Sequence, residues 1–349
     1  MVIPEIDSTK SSPGLSLEPE PLLPDLRERS DRTIMNLAHK AAMVVDAFPD
    51  RIPNARELAD MTRAFGPDLV TVSLTKILAQ VSPNKYFLDR VDRIYRDLRL
   101  DGRVRDERDL LSALVPQADR AELCVIESVD DLTPGAKWGG HVETWRSWAR
   151  KVGLTTDVIQ TDRRNSLLAN AEVIRRELAL QPHDRRIIAT VGRGGAEFRL
   201  LLEQLLKTSP HELEGIQMWI NVAGLIRGGS GVSSRSRRWW RRKAHHLSHS
   251  NPRLRAEPEL QGLPFVCVSM VGFPALAEVP VGLKVSYLEM SSSSPNDGLA
   301  TFHESIIRPG YIVPVPGMSH AAESARLGPW FQAVLASFDF DRKPTPTNV

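Results

Sequence analysis

The chain has 349 residues, 42% of them hydrophobic and 25% charged, a length and balance that suit a folded globular protein with a large core. Its 45 basic and 43 acidic side chains nearly cancel, which excludes a global attraction to nucleic acid or membrane and leaves any electrostatic role to a local patch. No apolar run reaches the roughly 18 residues of a membrane span and no basic-then-apolar leader opens the chain. Cys124 and Cys267 lie in apolar, strand-like runs and read as core thiols, so a reducing, cytoplasmic location is expected.

Residues 1–24 are rich in Ser, Pro and Glu with isolated apolar positions, too few to bury, and read as a disordered tail; 341–349 read the same way. From 25 to 118 apolar residues recur at helical spacing, as in Leu74, Ile77, Leu78 and Val81, then Phe87, Val91, Ile94 and Leu98. Pro49, Pro53, Pro67 and Pro83 cut this region into short helices. It is expected to be an all-helical N-terminal extension, serving as a cap or as a surface for a protein partner.

Between 119 and 340 strands and helices alternate, which implies an α/β domain with a mainly parallel sheet covered by helices on both sides. Strands are expected at 123–126, 156–159, 186–191, 216–222, 265–270, 284–288 and 311–315, and helices at 142–152 and 165–180. In open sheets of this kind ligands bind at the carboxyl ends of the strands. The stretch that organises the domain runs from the apolar strand Arg186–Val191 through Gly192-Arg193-Gly194-Gly195 into the periodic apolar run 198–206. A sharp glycine turn between strand and helix is a strand-turn-helix elbow, where a Cβ would clash.

This elbow resembles the nucleophile elbow of the α/β-hydrolase superfamily, and most closely its lipase- and esterase-like members, in which a G-x-S-x-G turn presents a serine. Here the serine is absent. Aligned without gaps its place falls to Gly192; reading Gly192 as the first motif glycine gives it to Gly194 instead. The resemblance spans roughly 121–337 and includes two further loops. Asp297, in Ser294-Pro295-Asn296-Asp297-Gly298, corresponds to the family's acid, and His320, in Pro316-Gly317-Met318-Ser319-His320 after the last strand, to its base. The resemblance also implies an oxyanion hole made by the backbone N–H of Arg193 and by the loop carrying Gly139 and Gly140.

An insertion at about 226–260 carries Arg235-Ser236-Arg237-Arg238-Trp239-Trp240-Arg241-Arg242-Lys243, and between Gly228 and Arg255 there are eight basic residues and no acidic one. It reads as a basic cap or lid: a helix packing its Trp residues on the core, an anion patch, or a peripheral membrane contact. One basic helix in a nearly neutral chain gives no nucleic-acid signature. His245, His246 and His249 lack a carboxylate or thiolate beside them, so no metal is expected, and no sequence feature calls for a cofactor.

Glycine at the elbow supplies no attacking oxygen, so conventional serine hydrolysis is not expected. The resemblance implies two functions, binding of an acyl, lipid or other hydrophobic ligand, or general-base chemistry by the His320–Asp297 pair on water or substrate, of hydrolase or lyase type; a third, of another class, is an interaction role carried by the helical extension and the basic insertion with the sheet as a scaffold.

Overall fold

The computed structural model describes residues 45–49, 51–54, scattered positions between 57 and 95, and the segments 121–128, 142–151, 153–162, 164–180, 185–233, 247–248, 251–274, 276–292, 294–321 and 324–338. The two predicted tails, the loop bearing Gly139 and Gly140, and Arg237, Arg238, Trp239, Trp240, Arg241 and Arg242 of the insertion lie outside the described residues.

The alternating pattern folds as β1 (Glu122–Ser128), α1 (Val142–Lys151), β2 (Thr155–Thr161), α2 (Leu167–Leu180), β3 (Arg186–Val191), α3 (Arg193–Thr208) and β4 (Ile216–Val222). The short helix α4 (Pro252–Arg255), β5 (Val266–Phe273), α5 (Val281–Ser291), the short helix α6 (Phe302–Ser305), β6 (Tyr311–Pro316) and α7 (Ser324–Ser337) complete it. The six strands form one sheet in the order β2-β1-β3-β4-β5-β6, and each neighbouring pair is parallel. This is the expected α/β architecture. Every residue of β3 is buried, as a central parallel strand covered on both faces requires, and that explains why it reads as an unbroken apolar run.

Alternate side chains of each strand feed two cores. Leu123, Val125, Ile187, Ala189, Met218 and Ile220 face α1 and α7, where Trp145, Trp148 and Phe331 pack edge-on or tilted at 4.7–5.8 Å between ring centroids. Cys124, Ile126, Ile188, Trp219 and Cys267 face α2 and α3, with Phe198 T-shaped on Trp219 at 5.1 Å. Both thiols are free and buried, and burial pushes their pKa well above the ordinary thiol value. On that second face the β5–β6 end is covered by Leu58, Met61, Val70, Leu74 and Leu78 of the N-terminal region, packed with Val271, Phe273, Phe302, Ile306 and Ile312. Val91 and Ile94 pack on the opposite face, and Tyr95 stacks on Trp330 at 3.8 Å.

One expected strand is a helix. Residues 284–288 belong to α5, which buries Leu283, Ser286, Tyr287 and Met290 and leaves Val281, Val285 and Leu288 exposed. Spacings of three and four residues between the buried positions are those of one helical face, and Pro280 stands at the N-cap. Five residues, Lys284-Val285-Ser286-Tyr287-Leu288, carry too little of either period to separate the two states.

Candidate active site

The site is built at the carboxyl edge of the sheet. Gly192 stands between the last residue of β3 and the first of α3 with φ 52° and ψ −116°, a left-handed backbone that strains any L side chain. Gly192 stands in the turn itself, while Gly194 and Gly195 already belong to the first turn of α3. The turn is tied to the next strand, because the Gly192 N–H donates to the Val222 carbonyl at 3.2 Å and its carbonyl accepts from the Leu225 N–H at 3.0 Å. Arg193 is the first residue of the 16-residue helix, where N–H groups lack intrahelical acceptors and carry the positive end of the helix dipole.

The structure brings Asp297 and His320 together. Asp297 Oδ2 accepts from His320 Nδ1 at 2.8 Å, and the His320 N–H donates to the Asp297 carbonyl, also at 2.8 Å. The other carboxylate oxygen accepts from the N–H groups of Leu299 and Ala300 at 2.9 and 2.8 Å. The two side chains are 1% and 0% exposed. A carboxylate on Nδ1 keeps the hydrogen there and puts the imidazole lone pair on Nε2, which is the tautomer a general base needs.

β6 lies three places from β3 in the sheet, roughly 14 Å by strand spacing. The segment 317–320 closes part of that gap by crossing over the end of β5, with the Gly317 N–H donating to the Phe273 carbonyl at 2.8 Å. Gly272 makes room for it: a Cβ there would lie 2.1 Å from the Met318 carbonyl oxygen. The loop of Asp297 follows a helix, α5, rather than the strand expected before it. α5 holds its loop through Ser286 Oγ, which donates to the Gly298 carbonyl at 2.7 Å.

Three charged residues in these elements carry no sequence motif. Arg193 and Glu197 form a buried ion pair at 2.6 Å, 2% and 0% exposed. Glu197 also accepts from Asn170 Nδ2 at 2.6 Å and Thr161 Oγ1 at 2.9 Å, and Arg193 Nη2 donates to the Asn165 carbonyl at 2.7 Å. Burial raises the Glu197 pKa against the pull of Arg193 and the two donors. Arg199, two residues after Glu197, is a staple at the base of the insertion. It donates to the carbonyls of Ile226, Leu254 and Ala256 at 2.6, 2.8 and 2.9 Å and to Glu203 at 2.9 Å. The only sequence signal for any of them was an Arg and a Glu four apart, twice, on an otherwise apolar helix. Ser230 lies in a 3₁₀ turn, and its hydroxyl donates to the buried Glu304 carboxylate. Among the described residues no cluster of His, Cys, Asp and Glu has the form of a metal site, and no helix is long and apolar enough to cross a membrane.

No protein-family model matches the sequence, and no curated protein does. Solved structures do match. The chain is similar to the metagenomic carboxyl esterase MGS0156, with a TM-score of 0.50 and 18% identity over 64% of this chain and 75% of that one. It also aligns with the mature form of the Bacillus licheniformis lipase BlEst2 (TM-score 0.46, 13% identity, 63% and 93% covered). A third match is an esterase from the bacterial hormone-sensitive lipase family (TM-score 0.40, 13% identity, 72% and 96% covered). The fold is the α/β-hydrolase fold.

Proposed function

We propose that this α/β-hydrolase-fold chain is related to lipases and esterases and binds an acyl, lipid or other hydrophobic ligand without passing through an acyl-enzyme. The observation that carries the reading is Gly192, which stands in the strained turn between β3 and α3 with no side chain to attack a carbonyl. Near it, the N-terminus of α3 remains a source of backbone donors for an oxyanion or carboxylate.

The intact, buried His320–Asp297 pair favours a second reading, in which the site turns over slowly by general-base chemistry. On an ester, His320 Nε2 takes a proton from a water that attacks the carbonyl carbon, and the alcohol leaves with that proton. In a serine protease stripped of a triad member, the residual acceleration is about 10³–10⁴ over water, which sets the scale of such a reaction.

Both readings are tested with a panel of short- and long-chain esters and a fluorophosphonate probe on the wild type, His320→Ala and Gly192→Ser. A wild type that neither hydrolyses nor labels, with a Gly192→Ser variant that gains a covalent adduct by intact mass, is the result expected for the binding reading. Wild-type hydrolysis abolished by His320→Ala, without an adduct, establishes the general base. A wild-type adduct overturns both, because some other side chain is then the nucleophile.

A further inference from the structure

We infer that Arg193 and Glu197 are positioning residues of the elbow: their buried ion pair holds the Gly192–Arg193 peptide so that its N–H is aimed at the ligand's anionic oxygen. The inference rests on the reading of the site above. In the run 192–195 three of four residues are glycines, whose backbone is the least restricted of any. Arg193 carries the only side chain in that run.

That side chain reaches inward to two separate anchors. Nε donates to Glu197 at 2.6 Å and Nη2 to the Asn165 carbonyl at 2.7 Å. Glu197 is itself held by Thr161 at the end of β2 and by Asn170 in α2, and Asn170 donates on to the Asp162 carbonyl at 2.9 Å. The elbow is thereby fixed against the ends of two neighbouring elements.

Stability alone does not explain this arrangement. Removing two charges from water costs several kcal/mol each, and well-packed apolar side chains of the same volume are often as stabilising or more so. What a charged, hydrogen-bonded cluster adds is direction. An oxyanion donor works within a few tenths of an ångström of its best distance, and a displacement of about 1 Å can cost roughly a hundredfold in rate. The donor here is a backbone N–H, so it survives any substitution of the side chains that aim it.

The test uses full-length Gly192→Ser, in which fluorophosphonate labelling reads the elbow directly: Oγ bonds to phosphorus, fluoride leaves and the hydroxyl proton passes to His320. Adding Glu197→Gln, which keeps the volume and removes the charge, is expected to lower the maximal labelling rate roughly 10- to 100-fold. Thr161→Val, a milder change that removes one donor to Glu197, is expected to lower it about 3-fold. In both the half-saturating probe concentration stays unchanged, and the thermal midpoint stays well above the assay temperature. Unchanged labelling in both variants with a lowered thermal midpoint overturns the inference, since the pair then serves stability alone. Should Glu197→Gln not fold, Thr161→Val decides by the same criterion. If Gly192→Ser itself does not label, the reading of the site falls, and the positioning role falls with it.

Discussion

The two halves of the candidate site differ in what stands at their centres. On the acid–base side every polar atom of the Asp297 carboxylate is used: two backbone N–H groups on one oxygen, His320 on the other. On the elbow side the scaffold is equally well built, with a buried ion pair, a bound turn and a sixteen-residue helix, yet the one position that would react is a glycine. An L side chain held at the φ of 52° seen here would cost about 1–3 kcal/mol, a strain that glycine at this turn does not incur. The hydrogen bonds of the acid–base side store no comparable strain. Losing them would leave buried donors without acceptors, so nothing in the stability of the fold favours their loss.

The largest expected effect tests whether the halves still fit each other. Gly192→Ser is expected to go from no fluorophosphonate adduct to one per chain, at a stability cost of about 1–3 kcal/mol for the side chain at φ 52°. Asp297→Asn in that background is expected to slow labelling by about 10³–10⁴, because an amide cannot keep the hydrogen on Nδ1 as a carboxylate does. Equal labelling with and without Asp297 would mean that the pair no longer serves the elbow.

A smaller effect tests the elbow scaffold alone. Arg199→Met should destabilise the fold by about 3–5 kcal/mol in chemical denaturation, since it strands the carbonyls of Ile226, Leu254 and Ala256 in a buried setting and removes the cation paired with Glu203. A loss under about 1 kcal/mol would show that water replaces the guanidinium and that the insertion's two ends do not depend on it.

The parallel sheet and the strand-turn-helix at Gly192 were legible because each is written locally, as an apolar run and a glycine turn, whereas the meeting of Asp297 with His320, 23 residues apart, was expected only through the resemblance. Which of two glycines holds the turn was not legible, because the motif can be read in two registers and only the positive φ of Gly192 separates them. The strand expected at 284–288 failed for a related reason, its five residues fitting either period until Leu283, Ser286, Tyr287 and Met290 appear together on the buried face of α5. The Arg193–Glu197 cluster was illegible in principle. Two of its members, Thr161 and Asn170, come from other elements and meet α3 only in the folded chain. The packing of Leu58 and Leu74 on Phe302 and Ile312 is of the same kind. It also means that deleting 25–118 would uncover core, so a partner-binding role for that region is better probed by substitutions on its exposed positions.

The smallest effect concerns the scaffold behind the acid–base side and is read by pH. His303, in α6 just after the acid loop, hydrogen-bonds the Pro53 backbone and packs edge-on against Phe302, and its Nε2 is buried without a hydrogen-bond partner. Burial, with Arg308 and Arg227 adding repulsion, lowers its pKa from 6.5 to about 4. Above pH 6.5 the imidazole is neutral in both folded and unfolded chains and exerts no pH dependence. As pH falls below 6.5 the unfolded chain takes up a proton that the folded chain refuses, so stability declines until the folded pKa near 4 is passed. Between pH 7 and pH 5 this amounts to about 2 kcal/mol. His303→Gln has no such group, so the loss of denaturant stability over that interval should be smaller in the variant by about this amount. Identical pH profiles would mean that His303 charges freely in the folded chain and that α6 opens around it, making the acid–base side the looser half of the site.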